Sequence, residues 1–222
     1  MVTIIWIRHG KKAYANSKGP PGCRQHDPSI KPNQTLEIKS RAKELITTYG
    51  NPTRCYSSPY ARTRETTDIL LSEVDNIIPV HYLPEIGEYL GNQKIIDNIP
   101  NVQDDTLLHG PIRCNEHIDE FESRCYEHLC SLGIPNVAPS DDVIWIVTHS
   151  FVMRTICKLF FTLHGIPLSI PVPYQFVELG AIIFTQENKI TELAYLPYTY
   201  KYNFIKKYNG RNHYTKIRVE SD

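Results

Sequence analysis

The chain has 222 residues, of which 41% are hydrophobic and 22% are charged. This composition is ordinary for a folded domain and excludes a fibrous or disordered chain. Lys and Arg together number 24 and are balanced by 24 Asp and Glu, so no overall positive field favours nucleic acid or acidic membranes. Any attraction for anions must therefore come from a local cluster.

The cysteines and the apolar segments predict a cytoplasmic protein. Six cysteines are scattered along the sequence without a CxxC pair, which indicates reduced thiols rather than a disulfide framework or a zinc site. The apolar N-terminus is interrupted by Arg8 and His9 and lacks the features of a signal peptide. The longest apolar stretch, Val143–Leu163, contains His149 and Lys158, so we do not expect it to span a membrane.

The predicted elements alternate between strands and helices. The first half reads as a strand at Val2–Ile7, a loop rich in Gly and Pro at Lys11–Asn33, a helix from a cap at Thr35 to about Gly50, a strand at Thr53–Ser57, a helix from Pro59 and a strand at Val80–Leu83. The second half reads as a helix at Glu116–Leu132, a strand at Asp142–Val147, a helix at Phe151–Leu163 and a hairpin formed by Phe176–Thr185 and Ile190–Leu196.

This alternation predicts an α/β fold built as a single three-layer domain over residues 1–222. We expect a mostly parallel central sheet with helices on both faces and an antiparallel edge. The stretch Gly91–Arg113 has no sustained period. Residues 200–222 mix aromatic with basic side chains, a pattern that could contact nucleic acid, a nucleotide or a partner but is more typical of a solvated C-terminal extension.

Three polar motifs follow predicted strands. Arg8-His9-Gly10 follows the first strand, Thr148-His149-Ser150 follows the strand at Asp142–Val147, and Ser58-Pro59-Tyr60-Ala61-Arg62 follows the strand at Thr53–Ser57. Ligands of open α/β sheets gather beyond the carboxyl ends of strands, and two guanidinium groups can fork onto the oxygens of one phosphoryl group. The motifs therefore indicate a phosphate site.

The three motifs, in this order, resemble those of the histidine phosphatase superfamily, which also contains the cofactor-dependent phosphoglycerate mutases. The resemblance runs from Val2 to about Leu196. It implies that His9 is a nucleophile that accepts the phosphoryl group, while Arg8, Arg62 and His149 bind the phosphoryl oxygens. His149 would serve best as a protonated donor, although a neutral ring could still donate one hydrogen bond. The resemblance implies neither a metal nor a cofactor.

The proton donor is expected on the segment Leu83–Gly91, which is similar to the stretch that carries the acid in this family. Glu85 matches the family spacing after Leu83, and Glu88 is the alternative. Together with His9 and His149, Glu85 completes the predicted catalytic set. Neighbouring arginines should also disfavour protonation of His9 and leave its attacking nitrogen free.

Three functions remain open at this point. The favoured one is a metal-independent phosphomonoesterase with a phosphohistidine intermediate on His9, because no long insertion between Glu85 and His149 is available to enclose the substrate of a mutase. The alternatives are a phosphomutase and a catalytically silent phosphate-binding module. The substrate could be a phosphorylated small molecule, a nucleotide or a phosphopeptide, and the chain could form oligomers. Lys11 and Lys12 either form a basic rim or are simply solvated.

Overall fold

The computed structural model describes residues 1–14, 27–89, 116–131, 142–163, 176–187, 190–196 and 216–220. In these ranges, seven strands form one sheet in the order β3-β2-β4-β1-β5-β6-β7. Their bounds are β1 Val2–Arg8, β2 Arg54–Ser57, β3 Val80–Tyr82, β4 Val143–Thr148, β5 Ala181–Glu187, β6 Ile190–Leu196 and β7 Lys216–Glu220. The strands β3, β2, β4 and β1 run parallel, and β5, β6 and β7 continue the sheet in antiparallel pairs.

Four α-helices lie in the described ranges: α1 Thr35–Tyr49, α2 Ala61–Leu71, α3 Ile118–Ser131 and α4 Ser150–Leu163. Short 3-10 helices at Pro32–Gln34 and Pro84–Ile86 precede α1 and follow β3. None of the helices in these ranges is long and apolar enough to cross a bilayer.

The central strand β1 is buried along its whole length and separates two apolar layers. Because successive side chains of a strand point to opposite faces, Ile4 and Trp6 pack in one cluster with α3 and α4, while Ile5 and Ile7 pack in the other with α1 and α2. A strand that is covered on both faces is apolar throughout rather than alternating, which is why the unbroken run in the sequence predicts it. The three-layer α/β fold with helices on both faces is confirmed.

The structure differs from the predicted elements in three places. The helix α1 begins at Thr35 itself, directly after the 3-10 helix, so Thr35 is not its cap. The strand β5 begins at Ala181 because a turn, closed by a 3.0 Å bond from the Gly180 N–H to the Val177 carbonyl, precedes it. The strand β7 was not predicted; it lies within the segment interpreted as a solvated extension and pairs with β6.

Two predicted features lie outside the described residues. These are the unpatterned stretch Gly91–Arg113 and most of the aromatic and basic segment from residue 200 onward.

Candidate active site

The register of the two central parallel strands brings the two histidine motifs together. Arg8 is paired with Thr148 as the last residue of each strand, so His9 and His149 follow at the same edge of the sheet. The His9 N–H donates to the Thr148 carbonyl at 3.0 Å. The two imidazole ring centres are 5.3 Å apart with planes inclined at 63°, and both side chains are buried.

His9 is fixed in one tautomer. Its Nδ1 lies 2.6 Å from the Gly10 carbonyl oxygen, and since a carbonyl can only accept, Nδ1 carries the proton. Burial holds the pKa of His9 well below its ordinary value, and the positive charges of Arg62 and Arg8 lower it further. The ring is therefore neutral, and its Nε2 keeps a lone pair.

Close contacts with the helices fix the loop after His9. The Gly10 N–H donates to Thr66 Oγ1 on α2 at 3.0 Å, and the Lys11 N–H donates to the Gln34 side chain next to α1. A Cβ atom at position 10 would lie only 2.8 Å from Gln34 Oε1. Only glycine therefore fits at position 10 without displacing the Gln34 side chain.

Arg62 lies at the centre of the site and is fully buried in the first turn of α2. Its Nη1 donates to Asp27 at 3.1 Å, and its Nη2 donates to the carboxylate of Glu88. The guanidinium carbon lies 4.5 Å from the ring centre of Tyr60. A planar cation that is held by two carboxylates and an aromatic face has a fixed orientation.

Asp27 is a site residue to which the sequence reading gave no role. Its two carboxylate oxygens accept from the Ala61 N–H at 2.7 and 2.9 Å, so it caps the N-terminus of α2 as well as binding Arg62. A carboxylate at a helix N-terminus also opposes the positive end of the helix dipole. The only sequence signal was its position before Pro28, which marks a turn but no chemistry.

His149 is neutral and donates from Nε2. Arg62 Nη2 lies 3.3 Å from His149 Nδ1, and because a guanidinium has no acceptor, Nδ1 must be unprotonated. The Nε2–H then donates to Ser58 Oγ at 2.8 Å. Burial, followed by the charge of Arg62, holds the pKa of His149 well below its ordinary value. The expectation of a protonated His149 is therefore not supported in this arrangement.

Arg8 contacts the segment before β5. Its Nη1 donates to the Phe176 carbonyl, and its Nη2 lies 3.7 Å from Glu178 Oε1. Both partners belong to the turn before β5, where Leu179 adopts a left-handed backbone with φ of 59°. Burial lowers the pKa of Arg8, whereas the negative charges of Glu178 and Glu88 raise it, and the charge of Arg62 lowers it by a smaller amount.

Lys12 contributes a third positive charge. Its backbone forms an isolated bridge with Ile30, and burial lowers the pKa of its ammonium group while the charge of Glu88 raises it. Lys12 in turn contributes to the lowered pKa of both His9 and His149. Of the two sequence interpretations, a basic rim suits Lys12 better, whereas Lys11 is exposed.

The structure places the two candidate acids differently. Glu88 contacts Arg62, and its Oε2 lies 4.0 Å from His149 Nδ1. Glu85, which the family spacing favoured, makes no hydrogen bond or ion pair to Arg8, Arg62 or His149 among the described residues. Its charge instead acts on His128, a buried residue of α3. Of the two glutamates, Glu88 is therefore the one that lies among the phosphate-binding candidates.

No group of three or more potential metal ligands occurs within the described ranges. The described site offers a neutral imidazole with a free lone pair, two guanidinium groups, an imidazole N–H and a carboxyl group.

A family model for the histidine phosphatase superfamily (branch 1) matches residues 4–171. The chain belongs to this superfamily. The assignment made from the three motifs is confirmed, and the predicted enzyme class, a phosphatase, agrees with the family. A search of curated proteins finds no significant match.

Solved structures of this superfamily share the fold at low sequence identity. Bacillus stearothermophilus YhfR is 19% identical with a TM-score of 0.54, covering 85% of this chain and 93% of its own. Phosphoserine phosphatase from Entamoeba histolytica, solved with 3-phosphoglyceric acid, is 19% identical with a TM-score of 0.53, covering 83% and 91%. Mycobacterial glucosyl-3-phosphoglycerate phosphatase is 17% identical with a TM-score of 0.56, covering 82% and 89%.

Proposed function

We propose that this chain is a metal-independent phosphomonoesterase that transfers the phosphoryl group first to His9 and then to water. The observation that carries the proposal is the 2.6 Å bond between His9 Nδ1 and the Gly10 carbonyl. It directs the proton to Nδ1 and leaves Nε2 as a nucleophile at neutral pH. A protein that only binds phosphate would not need a neutral histidine with a free lone pair on Nε2.

In the first step, His9 Nε2 attacks phosphorus while the bond to the ester oxygen breaks. Arg8, Arg62 and the His149 N–H stabilise the charge on the non-bridging oxygens, which is the main requirement of a loose phosphoryl-transfer transition state. In the present arrangement Ser58 Oγ accepts a hydrogen bond from the His149 N–H. We infer that the same N–H donates to a phosphate oxygen when substrate is bound. The products of this step are the phosphorylated imidazole and the alcohol.

We assign the proton transfers to Glu88 rather than to Glu85. The protonated carboxyl group donates to the leaving oxygen, and the resulting carboxylate removes a proton from the attacking water in the second step. Water then forms the new P–O bond as the P–N bond breaks, and phosphate leaves with the His9 lone pair restored. The location of Glu88 supports this assignment, because its carboxyl group lies beside Arg62, a candidate phosphate-binding side chain.

The charged side chains of the site indicate the ionic form of the substrate. The positive charges of Arg8, Lys12 and Arg62 act on one another and are partly balanced by the negative charges of Glu88 and Glu178. Such a set favours a phosphate monoester dianion over a diester. Phosphorylated small molecules, nucleotides and phosphopeptides all meet that condition, and the named neighbours include a phosphoserine and a glucosyl-3-phosphoglycerate phosphatase.

The test is hydrolysis of p-nitrophenyl phosphate in excess EDTA together with trapping of the intermediate. We expect phosphate release without added metal, and acid-labile, base-stable labelling from a radioactive substrate that His9→Ala abolishes. His81→Ala, which removes an exposed imidazole outside the site, is the matched control and should retain labelling. Strict metal dependence, or labelling that survives His9→Ala, contradicts the proposal. Rapid isomerisation of 3-phosphoglycerate with bisphosphoglycerate would instead identify a mutase.

A further inference from the structure

The segment that carries Glu88 has few backbone restraints of its own. It follows the 3-10 helix at Pro84–Ile86, which is closed by a 3.1 Å bond from the Gly87 N–H to the Pro84 carbonyl. On the side of the sheet, Thr148 Oγ1 donates to the Ile86 carbonyl at 2.7 Å. These two bonds fix the centre of the segment but not the peptide unit that leads into Glu88.

That peptide unit is bound by Arg124, a residue of α3 to which no motif points. Arg124 Nη1 donates to the Glu85 carbonyl and lies 3.4 Å from the Gly87 carbonyl oxygen. The same nitrogen, Nη1, thus contacts the carbonyl oxygens of Glu85 and Gly87, the two residues that flank Ile86. The second of them, on Gly87, belongs to the peptide bond immediately before Glu88. Hydrogen bonds from a charged donor are stronger than those between neutral groups.

Arg124 itself is held rigidly by a buried carboxylate. Its Nε and Nη2 donate to the two oxygens of Glu116 at 2.7 and 2.5 Å, and the side chains of Arg124 and Glu116 are only 4% and 6% exposed. Phe121 covers the guanidinium, whose carbon lies 4.7 Å from the ring centre. The remaining nitrogen, Nη1, donates to the segment that carries Glu88, so all three nitrogens of the Arg124 guanidinium have partners.

Stability alone does not account for this arrangement. Burying two charges costs desolvation energy, and replacing a buried ion pair by packed apolar side chains is often neutral or stabilising. What the pair supplies that an apolar cluster would not is a directed donor at a defined place. A lysine could not do the same, because it has no second edge with which to bind Glu116.

We propose that Arg124, held by Glu116, is a positioning residue that sets the orientation of the acid Glu88 at the active site. The proposal rests on the proposed function, in which Glu88 supplies the proton to the leaving oxygen. Arg124 touches neither substrate nor phosphate in this scheme. Its effect is confined to the proton-transfer part of the reaction.

This restriction provides a signature that general structural damage does not. p-Nitrophenolate leaves without help from an acid, whereas phenolate, of nearly the same shape, needs a proton. The ratio of kcat/KM for phenyl phosphate to kcat/KM for p-nitrophenyl phosphate therefore measures acid catalysis. Both values come from one enzyme preparation, so the ratio is independent of the fraction of molecules that are folded.

The experiment compares this ratio in Arg124→Met, Glu116→Gln and Glu88→Gln. We expect Glu88→Gln to lower it by on the order of 10²-fold, the usual contribution of a general acid, and Arg124→Met to lower it by about tenfold or more through misplacement of that acid. Glu116→Gln, which preserves shape and leaves Arg124 with one neutral partner, should give a smaller decrease. Combining Arg124→Met with Glu88→Gln should add no further decrease.

Arg41→Met is the matched control. Arg41 is also a buried arginine that donates to a backbone carbonyl, that of Leu196 at 2.8 Å, and pairs with Glu44. Its removal should reduce stability without changing the ratio. If Glu88→Gln lowers the ratio while Arg124→Met and Glu116→Gln leave it unchanged, the positioning role is overturned and the proposed function stands. If Glu88→Gln itself leaves the ratio unchanged, the acid assignment is overturned, and the positioning role falls with it.

Discussion

Arg62 and Arg124 are both buried and both have carboxylate partners, but the two clusters differ in how completely they are closed. Arg62, at the strand ends, shares its nitrogens among Asp27, Glu88 and His149, and the side chain of Glu88 is 20% exposed. Arg124, on α3, donates through Nε and Nη2 to the two oxygens of Glu116, which is 6% exposed. The open cluster can exchange a partner for a ligand, whereas the closed one can only hold its neighbours in place.

The largest expected effect is on stability and separates the two clusters directly. Glu116→Ala leaves Arg124 as a buried, uncompensated charge and should reduce the free energy of unfolding by about 3–5 kcal/mol. Glu88→Ala should cost less, because Arg62 keeps Asp27 as a partner. Urea denaturation of both variants measures the difference, and equal losses would show that the clusters are not distinct in this respect.

The second expected effect is on catalysis and falls on the open cluster. Arg62→Lys removes the forked donor and should lower kcat/KM for p-nitrophenyl phosphate by about 10²–10³-fold, the typical result of deleting one donor to transition-state charge. Arg64→Lys is the matched control on the same helix, since Arg64 lies over the ring of Tyr82, outside the site. A similar decrease in both variants would indicate a defect of α2 rather than a role in phosphate binding.

The third expected effect concerns stability in acid and involves His128, which lies on α3 as Arg124 does. Burial lowers the pKa of His128 from 6.5 to about 4. The unfolded chain therefore binds the proton at higher pH than the folded one. Stability is full above about pH 6.5 and is lost progressively as the pH falls to about 4, by about 3 kcal/mol in total if each pKa unit counts 1.36 kcal/mol.

His128→Phe tests this directly. The ring packs edge-on against Trp6, with ring centres 5.8 Å apart, so phenylalanine fills the same space without titrating. We expect nearly unchanged stability at pH 8 and a flatter decline between pH 6.5 and 4, measured by urea denaturation across that range. His81→Phe, which replaces an exposed imidazole, controls for the loss of a histidine. An unaltered decline in His128→Phe would contradict the assignment.

The smallest expected effect lies on the surface and gives a baseline for both clusters. Glu73, whose side chain is 14% exposed, accepts from Lys39 at 2.7 Å and lies 3.2 Å from Lys43, and the two lysine side chains are 38% and 70% exposed. Ion pairs whose cations extend into water contribute little, because water and salt screen them. Glu73→Gln should shift the melting temperature only slightly, and the shift should shrink in high salt. A loss as large as that of Glu116→Ala would contradict the contrast between exposed and buried charges.

The features that the sequence predicted are those that depend on local pattern. The unbroken apolar runs of β1 and β4 identify strands covered on both faces, and the motifs directly after them place His9 and His149 at one sheet edge. These inferences need only the strand period and the rule that parallel carboxyl ends meet. Fold and family were therefore accessible before any coordinates.

The features that were missed depend on contacts between distant segments. Choosing between Glu85 and Glu88 requires the course of a segment that neither helical nor strand period governs. Asp27 and Arg124 act through partners 34 or more positions away, Ala61 and the Glu85 carbonyl, and a single charged residue has no spacing pattern to reveal it. The strand β7 was hidden for a similar reason, since its aromatic and basic surroundings are typical of a solvated tail.

The pairing of β1 with β4 has a consequence for how correct folding can be detected. Both faces of β1 are covered by apolar layers, so a slip of one residue would replace Trp6 in its layer by another apolar residue, Ile5 or Ile7. Such a chain would keep its secondary structure while carrying His9 away from His149. Turnover is therefore a stricter reporter of native alignment than circular dichroism, and refolding yields should be counted in active molecules.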